Sequence, residues 1–168
     1  MHGGIDPSLR KESALYLSSL DFDGYAIGGS LGKNRDEMVE VVTKTVPYLP
    51  IDKPNHLLGI GDLASIARVV PLGIDTFDSS YPTRAARHGV LLTQEGGIKI
   101  EKAEYAEYFE GGIDGCCCPT CKRFSLAYLH HLFKAGEMTA MTLATIHNLY
   151  FMVNLMRNYR EAILDDRL

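Results

Sequence analysis

The sequence predicts an α/β chain built on parallel strands and followed by a metal-bound knuckle and helices. Three observations predict it. Short apolar runs alternate with amphipathic segments through the first eighty residues. Their polar or glycine-marked ends recur at His2, Gly29, Leu58 and Asp78, roughly 20–30 residues apart. That interval suits a strand followed by its crossover helix, and strands joined in this way lie parallel. The third observation is C-x-C-x2-C at Cys116, Cys118 and Cys121, with His147 downstream on an apolar-periodic stretch. Three thiolates and one imidazole form the closed tetrahedral shell of a structural zinc site, and a closed shell does no chemistry itself.

Each element follows from local chemistry. PSLRKESALYLSS, residues 7–19, has proline near its start and reads as a helix. FDGYAIGGS, residues 22–30, is an apolar strand stopping at paired glycines. Residues 34–46 return to helical spacing, with acids early and a lysine late, as the helix dipole prefers. HLLGIG, residues 56–61, is the next strand, and residues 62–70 the next helix, with Asp62 as N-cap. Residues 74–80, IDTFDSS, make a further strand. Beyond residue 83 the pattern changes. VLLT and IKIEK flank turn residues Gln94 to Gly97 as a hairpin. The cysteine knuckle follows, and two helices, 122–135 and 137–163, close the chain.

The strand spacing suits either a (β/α)8 barrel or a doubly wound sheet, and no G-x-G-x-x-G follows a strand. A barrel needs eight strands and ~250 residues. Three whole strands and the stub of a fourth therefore read as the back part of something larger. The expected division is residues 1–82 for the βα units and 83–168 for the remainder.

Composition narrows the function classes. A hydrophobic fraction of 46% with 23% charged residues is that of an ordinary globular protein. No apolar run approaches the roughly 18 residues of a membrane span, and the N-terminus has no secretory pattern. Cysteines clustered at 116–121 favour metal over disulfides and a reducing cytoplasm. A net charge of −4 argues against indiscriminate nucleic-acid binding but leaves room for a local basic patch.

Three constellations carry chemistry. In the zinc set, His130 and His131 are rivals of His147 for the fourth position, and Cys117, between two ligands, points elsewhere. In FDSSYPTRAAR, Asp78 ends a strand and Arg84 and Arg87 follow on the adjoining loop. A carboxylate beside guanidinium groups suits a nucleophile or base acting on a phosphate-bearing substrate. The plainer reading is a helix cap and a solvated basic loop. Asp75 competes with Asp78 but its odd offset puts it on the opposite face. In GYAIGGS, paired glycines let backbone approach a flat ligand closely.

HGGID, DFDGYAIGGS, DKPNHLLGIG, GIDTFDSSYPTRAARHG, C-x-C-x2-C, SLAYLHHLFKAGE and TIHNL together closely resemble the C-terminal half of the tRNA-guanine transglycosylase family. The resemblance implies the C-terminal portion of a (β/α)8 TIM barrel with an inserted structural zinc subdomain and C-terminal helices. It implies exchange of guanine at the tRNA wobble position for a 7-deazaguanine base. Asp78 would be the nucleophile that attacks ribose C1′. His2, Gly29, Ser30 and Leu58 would contact the base. Gly59, Ile60, Gly61, Asp62, Leu63, Ala64 and Ser65, with the loop Thr83, Arg84, Ala85, Ala86 and Arg87, would contact the tRNA anticodon loop. Zinc falls on Cys116, Cys118, Cys121 and His147. Lys122, Arg123 and Lys134 would add a basic face. A homodimer, or association with the N-terminal half, is implied, and no membrane.

The sequence departs from the family's pattern at two places. His2 stands where glutamine is usual. The segment after GGS shrinks to LGK, placing Lys33 where a glutamate is common. A lysine there repels a cationic aminomethyl base, so queuine is the expected substrate over its aminomethyl precursor. The family's proposed general base lies outside the matching segments, which predicts an isolated chain that is inactive and exposes a sheet edge. The alternative expectation is a non-catalytic, zinc-containing RNA-binding or partner subunit.

Overall fold

The computed structural model describes residues 1–168. The chain separates into two compact units, Met1–Ser80 and Tyr81–Leu168.

The first unit alternates helix and strand: α1 (Pro7–Ser18), β1 (Tyr25–Ile27), α2 (Arg35–Thr45), β2 (Asn55–Leu57), α3 (Leu63–Val69) and β3 (Thr76–Phe77). The helices begin where side chains satisfy their free amides. Asp6 accepts from the Ser8 and Leu9 N–H groups, Asn34 from Glu37, and Asp62 from Ser65. The strands lie parallel in the order β1-β2-β3, with Ile27 opposite Leu57 and Leu57 opposite Phe77. Met1 runs beside β1: its amino group donates to Ala26 O (2.5 Å), and Gly28 N–H donates to Met1 O (3.2 Å). Ile27, Leu57 and Val69 are fully buried with Met38, Val42 and Ala14, so the sheet and helices share one apolar core.

The strands are shorter than the sequence suggests. HLLGIG leaves the sheet after Leu57, because Gly59 adopts a left-handed conformation (φ +74°) and turns the chain toward α3. Residues 74–80 contribute only Thr76–Phe77 to the ladder.

The second unit contains α4 (Tyr81–Arg87), the hairpin β4 (Val90–Thr93) and β5 (Gly96–Lys99), then α5 (Pro119–Arg123), α6 (Leu126–Lys134) and α7 (Met138–Leu164). Strands β4 and β5 pair antiparallel from Val90–Lys99 to Thr93–Gly96, so the turn is only Gln94 and Glu95, and Gly96 and Gly97, expected in the turn, already belong to β5. Two further expectations need correction. Thr83 to Arg87 lie on a helix and not on a loop. The expected helix 122–135 is broken, because Phe124 is extended and Ser125 caps a new helix, accepting from Tyr128 N–H. Leu91, Ile100, Leu129 and Ala144 form the core, which α7 covers with its first three turns. No helix is long and apolar enough to cross a membrane.

Candidate functional site

The four sequence-predicted ligands converge. Atoms of Cys116, Cys118, Cys121 and His147 that can bind a metal all lie within 4.8 Å of one another. Distances from the three sulfurs to His147 Nδ1 are 3.6, 3.5 and 3.4 Å. A tetrahedral zinc ion with bonds of ~2.3 Å to sulfur and ~2.0 Å to nitrogen needs an S···N edge of ~3.6 Å. The donor set therefore fits zinc in both identity and size.

The surrounding groups orient these donors. His147 Nε2–H donates to the Leu92 carbonyl at 2.8 Å, which fixes the tautomer and leaves the Nδ1 lone pair facing the thiols. Backbone amides of Cys121 and Ile113 donate to the sulfurs of Cys118 and Cys121. The thiols compete for one another's protons: a hydrogen bond from Cys121 pulls the Cys118 thiol well below its ordinary value, and the same contact pushes Cys121 up. Three sulfurs and an imidazole nitrogen gathered this closely make a ready cation site. The rivals are elsewhere. His130 Nδ1 hydrogen-bonds with Ile100 O, His131 is exposed, and Cys117 is exposed outside the cluster.

Two supporting residues escaped the sequence reading. A methyl group on Gly112 would lie 2.4 Å from Cys121 Cα, so only glycine fits where this backbone passes the ligand helix. Asn148 is fully buried beside His147. Its Oδ1 accepts from Leu92 N–H (2.8 Å), and its Nδ2 donates to Pro82 O and Val90 O (2.9 Å each). Consecutive residues of α7 thus grip both polar groups of Leu92. The TIHNL motif contained this signal, but hydrogen-bonding need does not show in spacing. Asn148→Leu is expected to strand three buried backbone groups. It should cost roughly 2–4 kcal/mol in urea unfolding and weaken zinc affinity roughly tenfold in a chelator competition.

In the first unit, the strand ends meet one another in sequence along one edge of the parallel sheet. Gly29 has φ +74°, and a Cβ there would come within 2.7 Å of His2 Nδ1. A Cβ on Gly28 would lie 2.4 Å from Leu58 Cδ1. Gly59 N–H donates to Asp78 Oδ1 at 3.0 Å. His2, Gly29, Leu58 and Asp78, singled out as strand ends, therefore lie along one rim. Ser30 adjoins Gly29 and is exposed.

Asp78 itself is open to solvent, with 61% of its side chain accessible. Its carboxyl is held below the usual carboxylate range, first by the Gly59 N–H and next by the His56 imidazole. His56 Nε2 lies 3.1 Å from Asp78 Oδ1 and its Nδ1 2.8 Å from Thr76 Oγ1. Asp75 is occupied differently, accepting from the Asn55 N–H at 2.7 Å.

Arg10 also escaped the sequence reading. It is 1% exposed, and its guanidinium donates to the carbonyls of Gly4, Met1, Gly28 and Ser30 at 2.7–3.3 Å. One buried side chain thus fastens the first two strand ends together. An arginine in LRK looks like any solvated helix charge, so periodicity gave no hint. Arg10→Met is expected to strip this donor from the Gly4, Gly28 and Ser30 carbonyls, Met1 O keeping the Gly28 N–H, and to lower stability by roughly 2–4 kcal/mol, measured by urea unfolding.

The remaining candidates divide by exposure. Gly59, Ala64, Arg84 and Arg87 are exposed, and Ile60, Leu63, Thr83 and Ala85 half-buried. Gly61, Ser65 and Ala86 are buried. Asp62 is engaged in capping. Burial opposes its charge, but bonds from Ser65 and from Arg35 (3.0 Å) outweigh this and depress its pKa. Lys33, Lys122, Arg123 and Lys134 are exposed.

A parallel α/β scaffold with an open, hydrogen-bonded carboxylate beyond a strand end, together with three thiols and an imidazole gathered as a possible metal site, defines the class of protein. The family model described as queuine tRNA-ribosyltransferase matches residues 1–168, and the chain belongs to that family of pentosyltransferases. Among its relatives, the queuine tRNA-ribosyltransferase of Protochlamydia amoebophila is 66% identical over 166 residues, 99% of this chain and 43% of the relative. That of Chlamydia caviae is 53% identical over 169 residues, 100% of this chain and 45% of the relative. That of Chlamydia abortus is 52% identical, with the same coverage. The chain spans less than half the length of these relatives.

Proposed function

We propose that the chain is the C-terminal portion of a tRNA-guanine transglycosylase, exchanging guanine at the wobble position for a 7-deazaguanine base through a covalent aspartyl-ribose intermediate. The observation that carries this reading is Asp78. It is an ionised, solvent-open carboxylate at a parallel strand end, in a chain matched over its whole length by the family model. The sequential order β1-β2-β3 favours the (β/α)8 barrel over a doubly wound sheet, whose strand order reverses.

In the first step an Asp78 oxygen bonds to ribose C1′. The C1′–N9 bond breaks with its electron pair going to guanine, which takes up a proton. In the second, N9 of the incoming base, having lost its proton, attacks C1′, and Asp78 leaves as a carboxylate. A carboxylate serves both steps because it is a competent nucleophile and a stable leaving group, as in retaining glycosidases. The proton acceptor would come from the part of the relatives that this chain does not span.

His2, Gly29, Ser30 and Leu58 would form the base site. Leu58 is 44% exposed at the rim, an apolar surface suited to a base's face. Arg84 and Arg87 would contact phosphates, with Thr83 and Ala85 on the same helix, and the exposed part of Gly59–Ala64 would contact the RNA as well. Zinc, held by Cys116, Cys118, Cys121 and His147, would brace residues 83–168 and supply no chemistry. The remaining expectations are a cytoplasmic location and a homodimer or association with the N-terminal half. The test is to incubate the chain, joined to the N-terminal portion that its relatives carry, with an anticodon stem-loop and to denature the mixture. A covalent adduct formed by the wild type and lost in Asp78→Asn supports the reading, and no adduct in either overturns it.

A further inference from the structure

We infer that His56 is a positioning residue for Asp78, working with Thr76 and the Gly59 amide to hold one carboxylate oxygen so that the other is delivered to the ribose. The inference rests on the proposed function and deepens it. It is carried by geometry within one sheet edge.

His56 and Thr76 are register partners on adjacent parallel strands, β2 and β3. Opposed residues on one face of a sheet are neighbours, so the imidazole and hydroxyl meet at 2.8 Å without strain. A carboxylate only accepts, so His56 Nε2 carries the proton directed at Asp78 Oδ1, 3.1 Å away. The Thr76 hydroxyl, able to donate or accept, partners Nδ1 and steadies the far side of the ring. Gly59 N–H, from the turn after β2, donates to the same Oδ1 at 3.0 Å.

His56 and the Gly59 amide therefore converge on Oδ1, and neither of them engages Oδ2. An exposed aspartate on a strand end would otherwise rotate about both side-chain bonds. Fixing it in an attacking orientation removes that freedom before substrate arrives, and such positioning is a recognised source of rate. The anchor also works as an electrostatic device. Both donors favour the ionised form, which is the nucleophilic one. The His56 side chain is 30% exposed, so it lies against Asp78 at the rim and not in the core.

The test compares His56→Leu, which removes the donor, with His56→Gln, whose amide N–H can reach the Nε2 position. Both are made in the zinc-loaded chain joined to the N-terminal portion that its relatives carry. Base exchange is measured from pH 4 to 8 with an anticodon stem-loop and a 7-deazaguanine base. His56→Leu is expected to lower kcat roughly 10–100-fold with little change in KM for the RNA. It should also move the acid limb of kcat/KM to higher pH, because Asp78 loses a donor that favours its charge. His56→Gln is expected to recover most of both. An unchanged kcat and acid limb in His56→Leu, or equal losses in both variants, would overturn the inference.

A wild type with no exchange activity would instead overturn the proposed function. In that case the Asp78 carboxyl, titrated by 13C NMR in the wild type and in His56→Leu, decides the positioning alone. A midpoint raised in the variant supports it, and identical midpoints refute it.

Discussion

Stripping zinc from the protein, or replacing Cys118 with serine, is expected to unfold Tyr81–Leu168 while leaving Met1–Ser80 folded. Cys118 is fully buried, and the cluster draws its ligands from the 116–121 knuckle and from α7. His147 further ties α7 to β4 through Leu92. Residues 101–117 contain only a single 3-10 turn and no strand or longer helix, so the knuckle's own backbone carries little regular structure. Structural zinc contributes apparent binding free energies of about 10–16 kcal/mol in small domains, comparable to the whole stability of a typical fold of about 5–15 kcal/mol. Loss of the metal should therefore exceed what the Leu91–Ile100–Leu129 core can offset. Hydrogen exchange is the measurement that separates the units. Amides of Leu92 and Leu129 should lose protection in chelator or in Cys118→Ser, while those of Ile27 and Leu57 keep theirs. Metal content should fall from one ion per chain toward none. Full protection at Leu92 without metal would sink the structural role.

Asp78→Asn carries the largest expected effect on activity. The amide is nearly the same size and can keep the Gly59 contact, but it is neither a nucleophile of comparable strength nor a good leaving group. Removing a covalent nucleophile typically costs a factor of roughly 10⁴ or more in kcat. Since Asp78 is solvent-open and outside the core, its thermal midpoint should be unchanged within error. The wild-type pH profile carries a sign of its own. The Gly59 amide and then His56 depress the Asp78 pKa, so the nucleophile stays ionised below the usual carboxylate range. The acid limb attributable to it should lie at lower pH than an unassisted aspartate would give. An Asp78→Asn variant that still forms the adduct would assign the nucleophile elsewhere.

The sequence by itself determined the helices of the first unit, because their caps are local. Asp6, Asn34 and Asp62 each satisfy amides within three residues. The hairpin was legible from alternation and a turn together, and the four donors that converge were legible from residue type and spacing. Motif order carried the family. Only tertiary structure decided how far each strand reaches, because a strand ends where its neighbour stops pairing. It likewise decided that Thr83–Arg87 coil into a helix and that Phe124 breaks another.

The roles of Arg10, His56, Gly112 and Asn148 also waited for the fold. Each acts on partners brought close by strand pairing or helix docking: Arg10 on carbonyls of two strand ends, His56 across a register pair, Gly112 against Cys121, and Asn148 on Leu92. A donor's partner 18, 22 or 56 residues away leaves no periodic trace in the chain. Spacing reveals contacts made along the chain, whereas a buried polar group is understood only when the backbone it satisfies is in place.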